Sequence, residues 1–125
     1  MTQAIVLFAH GARDSRWAEP FEAVATQVQE AAPGVAVALA YLEMMAPTLA
    51  DAVTRLACEG ATRIDVVPLF LGTGGHLRQD VPLLIEAQRR SHPEVAIQLH
   101  AAIGEHAVVV EAMARATVAA AGLGE

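Results

Sequence analysis

Residues 4–14 read Ala4-Ile-Val-Leu-Phe-Ala9-His10-Gly11-Ala12-Arg13-Asp14. The first six form an unbroken apolar run. A strand covered on one face alternates apolar and polar residues; a continuous run predicts a strand buried on both faces, as in a parallel sheet. The run then gives way to a histidine followed by small residues, so an ionisable side chain stands at the carboxyl end of the strand. Residues 35–42 and 64–71 repeat the apolar character, and 95–100 is a shorter version. The segments between carry helical spacing. Trp17, Phe21, Val24 and Val28 share one helix face. Leu49, Val53 and Leu56 follow Pro47, a favoured first-turn residue, and Gly60 supplies a stop. Pro82 is expected to open a third helix that ends before Pro93. Val109, Ala112, Met113 and Ala116 stripe a fourth, ending near Gly122. Four strands, each followed by a helix, predict an α/β fold. It is a three-layer sandwich around a four-stranded parallel sheet with right-handed crossovers.

Composition narrows the function classes. The chain has 125 residues, of which 54% are hydrophobic and 18% charged, a balance that excludes disorder. This length predicts one domain, 1–125. Eight basic against 14 acidic side chains give a net charge of −6, which argues against nucleic-acid binding, where clustered Lys and Arg neutralise phosphates. Cys58 stands alone, so no internal disulfide and no Cys-x-x-Cys site can form; it reads as a small buried hydrophobe. No apolar run approaches the ~20 residues of a membrane span, and residues 4–9 are too short for a signal-peptide core. A cytoplasmic protein without a membrane segment is the expectation.

In an open parallel sheet, ligands bind outside the carboxyl ends of the strands. Every strand here delivers an ionisable residue to that edge. With strand order 2-1-3-4, His10 is flanked by Glu43 after the second strand and by His76 after the third. Adjacent strands lie ~4.8 Å apart, close enough for two imidazoles to share one divalent metal ion with positions left open. A carboxylate on the same rim can take protons. Each residue also has a plainer reading, His10 and His76 as loop histidines and Glu43 as a helix-flanking carboxylate. His92, in Ser91-His92-Pro93, reads as a turn residue. His100 and His106 lie near the same edge and suit an ordinary surface. Trp17 and Met44 suit packing. Arg13, Arg16 and Arg78 flank the two histidine loops, either as local cations for an acidic ligand or as solvated side chains.

Two other motifs fall short. Gly72-Thr-Gly74-Gly75-His76 lacks the third glycine of a dinucleotide loop and the Lys-Ser/Thr of a P-loop. The His10-Gly11 pair is similar to that of the histidine phosphatases, but Ala9 stands where that family has Arg, which removes the main charge partner of a phosphate. Phosphoryl transfer is therefore the weakest alternative.

The segments His10-Gly-Ala-Arg-Asp14, Tyr41-Leu-Glu-Met-Met-Ala-Pro-Thr48 and Val67-Pro-Leu-Phe-Leu-Gly-Thr-Gly-Gly-His-Leu-Arg-Gln-Asp-Val-Pro82 resemble the class II tetrapyrrole chelatases, in particular the small CbiX type, related to the SirB ferrochelatases. Gly104-Glu-His106 resembles a further family segment. The resemblance implies a chelatase-like, flavodoxin-like half fold. It implies a lyase-type enzyme that inserts a divalent metal, Co²⁺ first with Fe²⁺ or Ni²⁺ as alternatives, into sirohydrochlorin on the route to cobalamin or sirohaem. No cofactor beyond the metal substrate is implied. The resemblance carries metal binding to His10 and His76 and an acid–base or metal-handling role to Glu43. Arg13, Arg78, Gly74 and Gly75 are candidates for substrate binding. Ala12 departs from the Ser that the family often has after His-Gly, and removes a hydroxyl contact. Larger class II chelatases resemble two such domains facing each other, so a homodimer is expected here. The alternative of a different class is a metal-binding or metal-delivery module without insertion activity.

Overall fold

A computed structural model describes residues 2–124. The chain runs β1 (Gln3–Ala9), a 3₁₀ turn (Ser15–Ala18), α1 (Glu19–Ala31), β2 (Ala36–Tyr41), α2 (Leu49–Cys58), β3 (Arg63–Pro68), α3 (Gly75–Ser91), β4 (Ala96–Leu99), a second 3₁₀ turn (Ile103–Glu105) and α4 (Ala107–Ala120). The four strands form one parallel sheet in the order β2-β1-β3-β4. The predicted α/β class, parallel sheet and strand order are all present.

Alternate residues of the strands serve two different layers. Ala4, Val6 and Phe8 of β1, Ile64 and Val66 of β3, and Ile97 of β4 point into the main core. There they meet Leu49, Val53 and Leu56 of α2 and Val81 and Ile85 of α3. Small Ala38 and Ala40 on β2 leave room for α2 to approach. Helix α2 starts where Thr48 and Asp51 form a reciprocal capping box, each side chain accepting from the other's backbone N–H at 3.1 Å. It stops at Gly60, whose φ of +101° is open to glycine at little cost. The opposite face holds a smaller cluster, in which Ala9 and Tyr41 pack with Ala18, Phe21 and Leu39. Burial, aided by Glu22, pushes the Tyr41 phenol up from its usual pKa.

Several expectations change. Pro82 does not open α3: the helix begins at Gly75 and Pro82 lies inside it. Residues 75–78 are therefore helical. Cys58, at the last turn of α2, is exposed where it was expected buried, because the buried face of that helix is carried by Leu49, Ala52, Val53 and Leu56. Trp17 lies in the 3₁₀ turn ahead of α1 and is 44% exposed. Helix α4 exists where its stripe predicts it, yet none of its residues is buried. No helix among the described residues is long and apolar enough to cross a membrane.

Candidate functional site

The carboxyl end of β1 is held open by a close backbone approach. Leu42 N–H donates to the Ala9 carbonyl at 2.8 Å and Leu69 N–H to the Phe8 carbonyl at 2.7 Å, so the chains leaving β2 and β3 stay locked beside β1 one residue past the sheet. At the next step Gly11 lies against the backbone of Glu43. A Cβ there would overlap the Glu43 carbonyl oxygen and sit 2.8 Å from its carbon. Only glycine lets the 10–14 and 42–46 segments come this near. The second segment turns sharply: Met44 has φ +66° and the Ala46–Pro47 peptide is cis.

This approach joins His10 to Glu43. Their Nδ1 and Oε1 atoms are 3.4 Å apart, a long hydrogen-bond distance, with both side chains about two-fifths exposed. With a proton on Nδ1, the ring donates to the carboxylate and its Nε2 lone pair stays free for a ligand. The imidazole leans on the Phe70 ring, centroids 4.6 Å apart. The indole N–H of Trp17 donates to the His10 carbonyl at 2.7 Å. His10, Trp17, Phe21 and Phe70 with residues 69, 71 and 72 line an open cavity of about 350 Å³. Trp17 thus does more than pack, since it fixes the backbone of the rim histidine.

The remaining candidates spread along the same edge. Gly74 is the N-cap of α3, and Gly75, His76 and Arg78 form its first turn. His76 is exposed, and so is Arg13. Arg78 lines a second cavity of about 230 Å³ with Pro68, Thr73, Leu99, His100 and Glu105, and Phe70 is the wall between this cavity and the one beside His10. Among the described residues no three His, Cys, Asp or Glu side chains converge on a common metal position. His10 and Glu43 meet within one chain; His76 does not complete a cluster with them.

His92 packs as expected of a turn residue, its Nε2 3.3 Å from the Thr54 hydroxyl. His106 caps α4, its Nδ1 accepting from Val108 N–H. His100 has a definite partner that its placement in the sequence does not reveal. Its Nε2 is 2.8 Å from Asp65, which also receives Arg63 and the Gln3 amide. The Arg63 guanidinium, helped by His100 and Gln3 against the opposing effect of burial, holds the Asp65 carboxyl far below the usual carboxylate range. Asp65 was not singled out in the sequence; a charge inside an otherwise apolar strand was the available signal.

Comparison with known proteins agrees with this architecture. The family model described as CbiX matches residues 4–120. The sirohydrochlorin cobaltochelatase of Methanopyrus kandleri is 34% identical over 82 residues, 66% of this chain and 57% of that protein. The sirohydrochlorin cobaltochelatase of Methanocaldococcus jannaschii is 34% identical over 90 residues, 72% of this chain and 63% of that one. The matched stretch therefore spans somewhat over half the length of these two relatives, and about a third of others such as the sirohydrochlorin cobaltochelatase of Saccharolobus solfataricus. Among solved structures, a CbiX protein from Marinobacter aquaeolei VT8 superposes with a TM-score of 0.86 at 36% identity, covering 98% of this chain and 99% of its own. SirB from Bacillus subtilis with Fe³⁺ gives 0.81 at 29% identity, covering 94% of this chain and 47% of SirB. A parallel 2-1-3-4 sheet carrying a histidine at the end of its first strand, matched by the family model over nearly its full length, places the chain in the CbiX family.

Proposed function

We propose that this chain inserts a divalent metal ion into sirohydrochlorin at the carboxyl edge of its sheet. The observation that carries the reading is the His10–Glu43 pair, with His10 lining the open cavity it shares with Trp17 and Phe70. Relatives named sirohydrochlorin cobaltochelatase, and SirB structures holding Fe³⁺ or cobalt, support the substrate class. Insertion must strip water from the ion and remove two N–H protons from the macrocycle. The neutral imidazole of His10 offers Nε2 to the incoming ion without adding charge. Glu43 either accepts a pyrrole proton directly or, through Nδ1, keeps His10 in the tautomer that presents Nε2. Trp17, on the same rim and partly exposed, offers the flat ring an apolar surface, while the buried Phe70 ring backs the His10 imidazole. The carboxylates of sirohydrochlorin need cations; the exposed Arg13 and Arg78, next to the two histidine loops, are the candidates to supply them, with Gly74 and Gly75 allowing a close approach to the start of α3.

The second metal ligand in this reading is His76. It joins His10 either from the same chain, by a movement of the first turn of α3, or from a second copy. A homodimer places two rims face to face around the macrocycle and excludes water from both. Each 1–125 chain acts as one chelatase-like domain of a cytoplasmic enzyme, and Co²⁺ is the first-ranked metal. The test is anaerobic insertion of Co²⁺, Fe²⁺ and Ni²⁺ into sirohydrochlorin, compared side by side by absorbance. The reading expects a clear acceleration over the uncatalysed mixture with at least one ion. Tight metal binding without acceleration would favour a delivery module instead.

A further inference from the structure

Two large apolar side chains stand exposed on the segments that flank His10. Met44, leaving β2, is 67% exposed, and Leu71, leaving β3, is 72% exposed. Both strands are direct neighbours of β1. Ala9 pairs with Tyr41 and Phe8 with Pro68, so the register carried past the sheet sets His10 level with Leu42 and Phe70. Met44 and Leu71 come two residues and one residue beyond that level, a lip on each side of the imidazole. Neighbouring strands are ~4.8 Å apart, which puts the two lips roughly 10 Å apart.

Neither exposure is the slack of a loose loop. Met45 N–H donates to the Glu43 carbonyl at 2.8 Å and closes a three-residue turn around Met44. Met44 takes φ +66°, which glycine adopts freely and a residue with a Cβ adopts only with strain. A strained backbone and an uncovered thioether side chain thus coincide at one residue, directly after Glu43, and the packing of the free chain compensates for neither. On the other side, Phe70 is buried in the core while Leu71 stays outside. Gly104 N–H donates to the Phe70 carbonyl at 2.9 Å, and a Cβ at 104 would lie 2.5 Å from the Leu71 carbonyl carbon and nearer still to its oxygen. This contact clamps the backbone of Leu71 to the 103–105 turn. Leu71 also lines the open cavity beside His10 and Trp17.

We propose that Met44 and Leu71 seat the conjugated disc of the tetrapyrrole over His10 and so determine which macrocycles the chain accepts. The surface is concentric in the way such a disc is. At its centre, His10 and Glu43 offer a lone pair and a base to a ring of nitrogens. Around them, Met44, Leu71 and the partly exposed Trp17 offer apolar area to the carbon framework. Beyond these, the exposed Arg13 and Arg78 offer charge to carboxylates at the edge. A protein surface laid over the same lips would bury the His10–Glu43 pair without partners, a costly arrangement, whereas the pyrrole N–H groups of the disc meet it. The seat presupposes metal insertion at His10, as proposed above, and names what holds the macrocycle there.

The experiment measures binding of metal-free sirohydrochlorin to the full chain by absorbance, beside steady-state Co²⁺ insertion, thermal melting and light scattering. The variants are Met44→Gly, Met44→Leu, Leu71→Ala and Leu71→Met. The seat predicts that Met44→Gly and Leu71→Ala each weaken sirohydrochlorin binding by about tenfold and raise KM to match. Met44→Leu and Leu71→Met keep wild-type binding. Met44→Gly melts no lower than wild type, because glycine relieves the turn, so its lost binding is not lost folding. Wild-type binding by either truncated variant overturns the seat and leaves insertion at His10 standing. Weak binding by Met44→Leu also overturns it, since sulfur and not apolar area would then be the cause. So does a truncation that changes the oligomeric state, which would mean that the lips cover a second copy. A wild-type chain that binds no sirohydrochlorin overturns both the seat and the proposed insertion.

Discussion

Gly11→Ala adds one carbon at the point where two segments of the site touch. The added Cβ would overlap the Glu43 carbonyl oxygen and stand 2.8 Å from the carbonyl carbon, both backbone atoms that cannot rotate away. The 10–14 and 42–46 segments must then separate by about 1 Å or more, a strain that typically costs about 1–3 kcal/mol. For a domain of this size that lowers the melting temperature by roughly 3–15 °C. The same displacement widens the His10–Glu43 contact, already 3.4 Å, beyond hydrogen-bond reach. A misplacement of this size in a reacting pair lowers turnover by about 100-fold. Gly34→Ala is the matched control, since a Cβ there meets nothing within 4 Å and the residue precedes β2, at the opposite end of the sheet from the site. The assays are thermal melting by circular dichroism and initial rates of metal insertion into sirohydrochlorin. Wild-type melting and wild-type rates in Gly11→Ala would refute the idea that this glycine sets the distance between His10 and Glu43.

Glu43→Gln keeps the size of the side chain and removes its charge and basicity; insertion should fall at least tenfold with the melting temperature unchanged, read by the same absorbance assay. His76→Ala, at an exposed position, should likewise leave melting unchanged while insertion falls strongly, and undiminished insertion would remove His76 from the metal site. Asp65→Ala should cost about 1–3 kcal/mol in urea unfolding at pH 7, because three donors lose a nearly buried acceptor. The folded-state pKa of Asp65 is depressed, so its stabilisation is complete above the unfolded carboxylate value near ~3.9 and fades as pH falls toward the lower folded value. The gap between the variant and wild type should therefore close below about pH 4.

The fold was readable because period and position agreed. The run at 4–9 has one structural meaning, and the helix stripes at 49–56 and 109–116 fall where helices stand. Boundaries were harder. Pro82 looks like a helix start, since proline suits a first turn, yet α3 begins seven residues earlier at Gly75. Glycines at 72, 74 and 75 masked that start by resembling a loop. Of the site, His10 and Glu43 were legible as strand-end residues on neighbouring strands, and they do meet. The contribution of Trp17 was not, because an indole that bonds a carbonyl seven residues away leaves no periodic trace. Asp65 and His100 form their pair across two strands, 35 residues apart, and only the register of β3 with β4 brings them together. That α4 buries none of its residues was not legible either, since its apolar stripe predicts a covered helix.

The central claim is that His10 at the end of β1 receives the metal ion during insertion. The direct measurement is the anaerobic rate of Co²⁺ insertion into sirohydrochlorin by wild type and by His10→Ala, at matched concentration and with folding checked by circular dichroism. The claim predicts that the folded variant drops to the uncatalysed rate while wild type stays well above it. A folded His10→Ala protein that inserts cobalt as fast as wild type would contradict it.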